Sequence, residues 1–153
     1  DAYRLAPWAD MLYAADRRWW EANPDALAFA GLKLCAQPGV EGTKYMRHSG
    51  STGFDPSPAF VRTGGNSGYQ AVHVAIHAGA ERILLCGFDM RGAHYFGEHR
   101  APLRNTSAAT FERWISRFSG LLGHGVEIIN CTPGSALKCF PCMSLEEAIG
   151  ATA

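Results

Sequence analysis

The sequence has no long hydrophobic segment and no strongly basic run. Its continuous apolar stretches, such as residues 83–86, fall far short of the ~20 residues that cross a bilayer. Fourteen Lys and Arg balance fourteen Asp and Glu, and the longest basic run is the pair Arg17 and Arg18. A nucleic-acid binder usually carries a clustered positive charge. The sequence therefore predicts neither membrane association nor broad nucleic-acid binding.

Cysteine is also scarce. Five cysteines among 153 residues are too few for a disulfide scaffold, and their number is odd. We therefore expect a reducing, cytoplasmic setting. With 47% hydrophobic and 18% charged residues, the chain should fold as a single domain over residues 1–153. It starts at Asp1 without a methionine, so we expect an upstream segment.

Short apolar runs predict buried strands. They lack the polar alternation of a half-exposed sheet, which favours parallel strands covered on both faces. The predicted strands are residues 11–15, 31–35, 82–88 and 126–129.

Segments of helical period lie between and after these runs. Phe111, Trp114, Ile115 and Phe118 share one sector of a helix over residues 108–124. The alternation of strands and helices predicts an α/β fold with a mainly parallel, doubly wound sheet of four or five strands. The other predicted helical segments are residues 17–22, 25–29, 68–78 and 144–149.

One long segment, residues 38–66, has little periodicity and many glycines. Loops of this length in a small domain usually exist for function, so we expect a lid or small subdomain. The alternative is a local region with few contacts.

Polar residues follow the predicted strands. They are Asp16, Gln37, Asp89 and Asn130. Ligands of open parallel sheets lie beyond the carboxyl ends of strands, so these side chains are candidates for binding a ribose hydroxyl, a metal or a reacting proton. The alternative is that they cap helices and turns.

A glycine-rich run precedes the predicted helix 68–78 and contains Gly64, Gly65, Asn66 and Ser67. Glycines let the backbone approach an anion, and the helix start favours phosphate. The run lacks the Gly-Lys-Ser/Thr of a Walker motif and the GxGxxG spacing. It predicts an anion site, and the alternative is a tight turn with Ser67 as an ordinary cap.

His94 is the candidate general base. It follows the strand-end acid Asp89 by five residues, and histidine titrates near neutral pH. The alternative is a histidine on a surface loop.

Two patterns have the spacing of zinc ligands. His73 and His77 share a narrow polar stripe with Gln70, for which we expect solvent exposure. Cys139 and Cys142 form a single CxxC without a second one, which favours a loop against the core. We predict no metal site from either pair.

Several of these segments together resemble a group of uncharacterised phage and prophage proteins. They are the run Gly64 to Gly68, Gly79, the segment Arg82 to Met90 with His94 after it, and residues 1–20, 126–130, 140–141 and 144–147. The sequence is more distantly similar to the Rossmann-like superfamily of the 6-hydroxymethylpterin diphosphokinase-like proteins and the bacterial sialyltransferases.

The resemblance implies a Rossmann-like three-layer sandwich, with a first strand and its phosphate loop upstream of Asp1. It implies a nucleotide or nucleotide-sugar ligand and a glycosyl- or diphospho-transferase-like activity in a bacterial host. His94 would act as base and Asp89 would orient it or hold a divalent cation such as Mg²⁺. The alternative is a non-catalytic phage module that sequesters a nucleotide-like molecule, and a homo-oligomer is a candidate assembly.

Overall fold

Short strands form from the four predicted apolar runs, and three further strands form within the segment 38–66. The computed structural model describes residues 2–92, 97–99, 101 and 103–150. The strands are Met11–Tyr13 (β1), Leu32–Cys35 (β2), Lys44–Tyr45 (β3), Arg47–His48 (β4), Phe60–Val61 (β5), Arg82–Leu85 (β6) and Glu127–Asn130 (β7).

Every pairing between these strands is parallel. β1, β2 and β3 form one sheet in that order, with Met11 opposite Leu32. β4 pairs with β5, and β6 pairs with β7 with Ile83 opposite Ile128. The α/β class and the parallel direction are therefore confirmed. Among the described residues the strands form separate sheets of three, two and two strands, so the expected single sheet of four or five strands is not shown.

Within the described part of the chain, five helices lie between and beside the strands. Asn66 caps the third helix by accepting the Tyr69 N–H at 3.0 Å, and Ser107 caps the fourth by accepting the Thr110 N–H at 3.3 Å. The helices are Ala2–Leu5 (α1), Arg17–Ala22 (α2), Ser67–His77 (α3), Ala108–Phe118 (α4) and Leu145–Gly150 (α5).

The 3₁₀ turns Pro24–Ala28 and Ser119–Leu121 follow α2 and α4. The helix predicted over residues 108–124 therefore ends early, at Phe118. Its apolar stripe was predicted correctly, since Phe118 is fully buried and Phe111, Trp114 and Ile115 pack around the main core.

The largest core cluster lies between α3, α4 and the β6–β7 pair. Its buried members are Tyr69, Val72, Leu85, Met90, Phe118, Leu121, Ile128, Leu137 and Phe140. A smaller cluster connects the β1–β2–β3 sheet and the β4–β5 pair to α3, because Val74 of α3 packs with Leu34 of β2 and Val61 of β5.

The long segment 38–66 contains β3, β4 and β5 and lies against α3. It covers the polar stripe of that helix, so the expected solvent exposure of the stripe is wrong. His73 is 0% exposed and Gln70 is 4% exposed. No helix within the described residues is long and apolar enough to cross a membrane.

Candidate functional site

The end of β1 meets the start of α3. The backbone N–H of Ala15 donates a hydrogen bond to the Ser67 hydroxyl at 3.2 Å. One turn further along α3, the hydroxyl of Tyr13 donates to Oε1 of Gln70 at 2.7 Å, and burial raises the Tyr13 pKa so that this hydroxyl stays protonated. These two bonds fix the first turns of α3 against the carboxyl end of a parallel strand.

The first turn of α3 carries polar backbone groups. An α-helix leaves its first four N–H groups without intrahelical partners, and they give its start a partial positive charge. Asn66 satisfies the N–H of Tyr69, and no hydrogen bond to another described residue involves the N–H of Ser67 or Gly68. The arrangement suits an anion.

The turn before α3 requires glycine. Gly64 and Gly65 have φ angles of 57° and 69°, which L side chains rarely adopt. A β-carbon at Gly64 would lie 2.4 Å from Cγ of the buried Tyr69 ring. The predicted glycine-rich run is thus a tight turn that leads directly into the helix.

Arg117 of α4 lies beside this turn, which sequence reasoning missed. Its Nη1 donates to the Gly64 carbonyl at 2.9 Å, and it lies 3.0 Å from where a Gly65 β-carbon would be. Nε1 of Trp114 lies 3.2 Å from the same point. The half-buried guanidinium adds positive charge next to the start of α3. No local pattern in the sequence pairs residues 64 and 117, because only the packing of α4 brings them together.

Asp16 follows β1 and is exposed. It is the N-cap of α2, but its carboxylate makes no capping hydrogen bond. Its neighbour Gln37, after β2, uses Oε1 to accept the Arg17 N–H at 2.7 Å. The Asp16 carboxylate is therefore the more available acceptor at this edge.

Asp89 follows β6 and is also exposed. Its backbone carbonyl accepts the Ala136 N–H at 2.9 Å. The preceding residue, Phe88, has its ring 2.9 Å from where a Gly68 β-carbon would be. The segment that carries Asp89 therefore runs beside the first turn of α3.

Asn130 ends β7 and is 1% exposed. Its amide nitrogen donates to the Leu137 carbonyl at 3.0 Å, and its amide oxygen accepts the Thr132 N–H at 3.1 Å. These bonds shape the loop after β7, so the local structure accounts for this side chain without a ligand.

A pocket of about 290 Å³ opens at this loop. Lys138 is the one charged residue in its lining. The Arg91 guanidinium lies next to Gly134 of this loop, with Nη2 2.8 Å from where a Gly134 β-carbon would be. The pocket is lined by Asn130, Thr132, Pro133, Gly134, Lys138, Cys142, Met143 and Ser144.

His94, the candidate base, lies outside the described residues, and its role stays a prediction. Within the part of the chain that is described, no group of three or more His, Cys, Asp or Glu side chains could hold a metal ion. Burial raises the pKa of Cys139, which disfavours the thiolate that metal binding or redox chemistry needs.

Comparisons with protein-family models, with curated proteins and with solved structures find no match to this chain.

Proposed function

We propose that this chain binds a nucleotide or nucleotide sugar where the end of β1 meets the start of α3. The main support is the hydrogen bond from the Ala15 N–H to the Ser67 hydroxyl. This bond holds the start of the 11-residue helix α3 at the carboxyl end of the parallel strand β1. Ligands of parallel α/β proteins bind at such an edge, and helix starts bind phosphate.

The phosphates would lie against the Ser67 and Gly68 amides. The Gly64–Gly65 turn brings the backbone close, and the Arg117 guanidinium supplies a full positive charge beside it. The exposed carboxylate of Asp16 is suited to accept hydrogen bonds from ribose hydroxyls. A Mg²⁺ ion carried by the phosphates needs only one or two protein carboxylates, and Asp16 and Asp89 are the candidates.

The proposal includes a Rossmann-like three-layer arrangement of the kind found in the phage and prophage group. The uniformly parallel pairing of the strands and the Gly-rich turn that opens α3 support it. It also includes transfer of a group from a nucleotide-activated donor to an acceptor hydroxyl, in which His94, oriented by Asp89, would take the hydroxyl proton and the nucleotide phosphate would leave. Catalysis would rest on positioning and charge stabilisation.

Replacing Ser67 by proline tests the phosphate contact. Proline fits the first helical position and removes its N–H, and Asn66 already has the extended φ of −148° and ψ of 128° that proline requires of the residue before it. Calorimetry against a panel of nucleoside diphosphates and nucleotide sugars should show a loss of affinity of roughly ten- to hundred-fold, the value of one hydrogen bond to a charged group.

Ser67→Ala is the matched control, since it removes the hydroxyl and keeps the amide. It should bind more tightly than Ser67→Pro. If no member of the panel binds the unaltered protein, the proposal is wrong. Binding without product formation would instead identify the non-catalytic module that sequesters a nucleotide-like molecule.

A further inference from the structure

Three histidines surround the ring of Phe54 beside α3, and two of them, His73 and His77, belong to that helix. The ring of Phe54 stacks on His73 and on His124, with ring centroids 4.3 Å apart in both pairs. His77 lies 5.0 Å from the Phe54 ring and 4.9 Å from His73. Phe54 belongs to the segment 38–66, so this cluster attaches that segment to α3 and to the chain after α4.

His73 also bonds to the backbone of the same segment. Its Nδ1 accepts the Arg62 N–H at 3.2 Å. Nε2 lies 3.2 Å from both the carbonyl and the N–H of Asp55. A neutral imidazole carries one proton, and since Nδ1 accepts the Arg62 N–H, this proton lies on Nε2 and is donated to the Asp55 carbonyl. The neutral ring therefore holds two points of the segment, seven residues apart, with one acceptor and one donor.

Burial is the strongest influence against a second proton on His73. The hydrogen bond to the Asp55 backbone and the Asp55 carboxylate favour a charge on the ring, whereas His77 on the same helix and His124 after α4 oppose it. That carboxylate is already engaged, because it accepts a hydrogen bond from Ser49 and pairs with Arg62 at 3.5 Å. Burial is the largest influence, and it lowers the pKa of His73 from 6.5 to about 4.

We propose that His73 is an acid-sensitive latch that fastens residues 54–62 to α3. A proton added at Nδ1 removes the acceptor of the Arg62 N–H and places a charge in a ring with no exposed surface. The latch is closed at neutral pH and opens in acid. The released segment ends directly before the turn at Gly64 and Gly65.

The direction of the pH dependence follows from the lowered pKa. When the latched ring has a pKa of about 4 and the released ring has one near 6.5, the latch is at full strength above pH 6.5 and weakens as the pH falls toward 4. Between pH 7.5 and pH 5 the opening equilibrium should rise about 25-fold.

Amide hydrogen exchange tests this in the unaltered protein. The Arg62 N–H reports the latch, and the Cys131 N–H, bonded to the Leu85 carbonyl at 2.9 Å, reports the β6–β7 pair. After correction for intrinsic exchange, opening at Arg62 should rise about 25-fold from pH 7.5 to pH 5, and at both pH values Arg62 should open more often than Cys131, because the latch opens without unfolding the β6–β7 pair. No rise at Arg62, or equally frequent opening at Arg62 and Cys131, would overturn the proposal.

Two variants separate His73 from its neighbours. His73→Asn keeps an amide acceptor near the Nδ1 position and cannot titrate, so it should abolish the acid-induced opening at Arg62. His124→Gln should retain it, and the reverse result would overturn the proposal. Should His73→Asn fail to fold, NMR titration of the His73 ring in the unaltered protein decides: a pKa below about 5.5 supports the latch, and a higher value refutes it.

Discussion

Gly68 and Phe88 are in direct contact, since a β-carbon at Gly68 would lie 2.9 Å from Cε1 of the Phe88 ring. The first turn of α3 and the segment after β6 therefore touch without an intervening side chain. The same imaginary β-carbon would lie 2.9 Å from Oδ1 of Asn66, the oxygen that caps α3. One missing side chain thus allows both the cap and the approach of the residue before Asp89.

Gly68→Ala should lower the free energy of unfolding by about 1–3 kcal/mol, because the added methyl group overpacks the contact and disturbs the cap. Urea denaturation measures this. Gly150→Ala is the control, since nothing lies within 4 Å of a β-carbon there. A Gly68→Ala protein as stable as the control would contradict the contact.

Gly64 and Gly53 form a matched pair for the turn before α3. Both have left-handed φ angles, 57° and 74°, but a β-carbon at Gly64 would meet the Tyr69 ring whereas one at Gly53 would meet nothing within 4 Å. Alanine at either position should cost roughly 1–2 kcal/mol of stability for the backbone conformation. Gly64→Ala should cost a further ~1–3 kcal/mol because the added methyl group clashes with the Tyr69 ring. Equal losses of stability for the two variants in thermal or urea denaturation would refute this clash.

Asn130 is expected to act through structure. Asn130→Ala leaves the Leu137 carbonyl and the Thr132 N–H without their partner, at roughly 1–3 kcal/mol for each buried group. Urea denaturation should show this loss, whereas Asn105→Ala removes only an exposed hydrogen bond from the His99 N–H and should cost less than about 1 kcal/mol. An Asn130→Ala protein of normal stability that no longer binds nucleotide would show that Asn130 contacts the ligand.

Arg117 should contribute to phosphate binding, unlike Arg113 four residues earlier on α4. Arg117 donates to the Gly64 carbonyl, while the exposed Arg113 donates to the Thr110 hydroxyl. Arg117→Gln should weaken nucleoside diphosphate binding about ten-fold and reduce its sensitivity to salt. Arg113→Gln should bind normally, and equal effects of the two variants would show that only the overall charge matters.

Local pattern predicted the strands β1, β2, β6 and β7 and the helices α2 to α5, but not α1 or the short strands β3, β4 and β5. The spacing of Phe111, Trp114 and Phe118 predicted α4. The glycine-rich run located the start of α3, and the tight turn given as its alternative interpretation is present, although Asn66 rather than Ser67 caps the helix. These features depend on neighbours along the chain. The strand boundaries differ by a few residues, as for β6, which ends at Leu85 because the chain turns at Gly87, whose φ is 76°.

Contacts between distant segments escaped sequence reasoning. The polar stripe of α3 predicted an exposed His73, but Phe54 and Arg62 come from a segment whose path has no periodic signal, and they cover it. The contact between Arg117 and the Gly64 turn was not predicted either, because it depends on the packing of α4. Burial of a polar residue depends on what folds over it, which its own helix does not encode.

The first-turn amides of α3 are proposed to hold the phosphates of a nucleotide. An NMR titration of the ¹⁵N-labelled protein with nucleoside diphosphates and nucleotide sugars tests it most directly. The amide signals of Ser67 and Gly68 should shift most, and saturably, with at least one compound. Saturable shifts confined to other parts of the chain, or no shift with any compound, would contradict it.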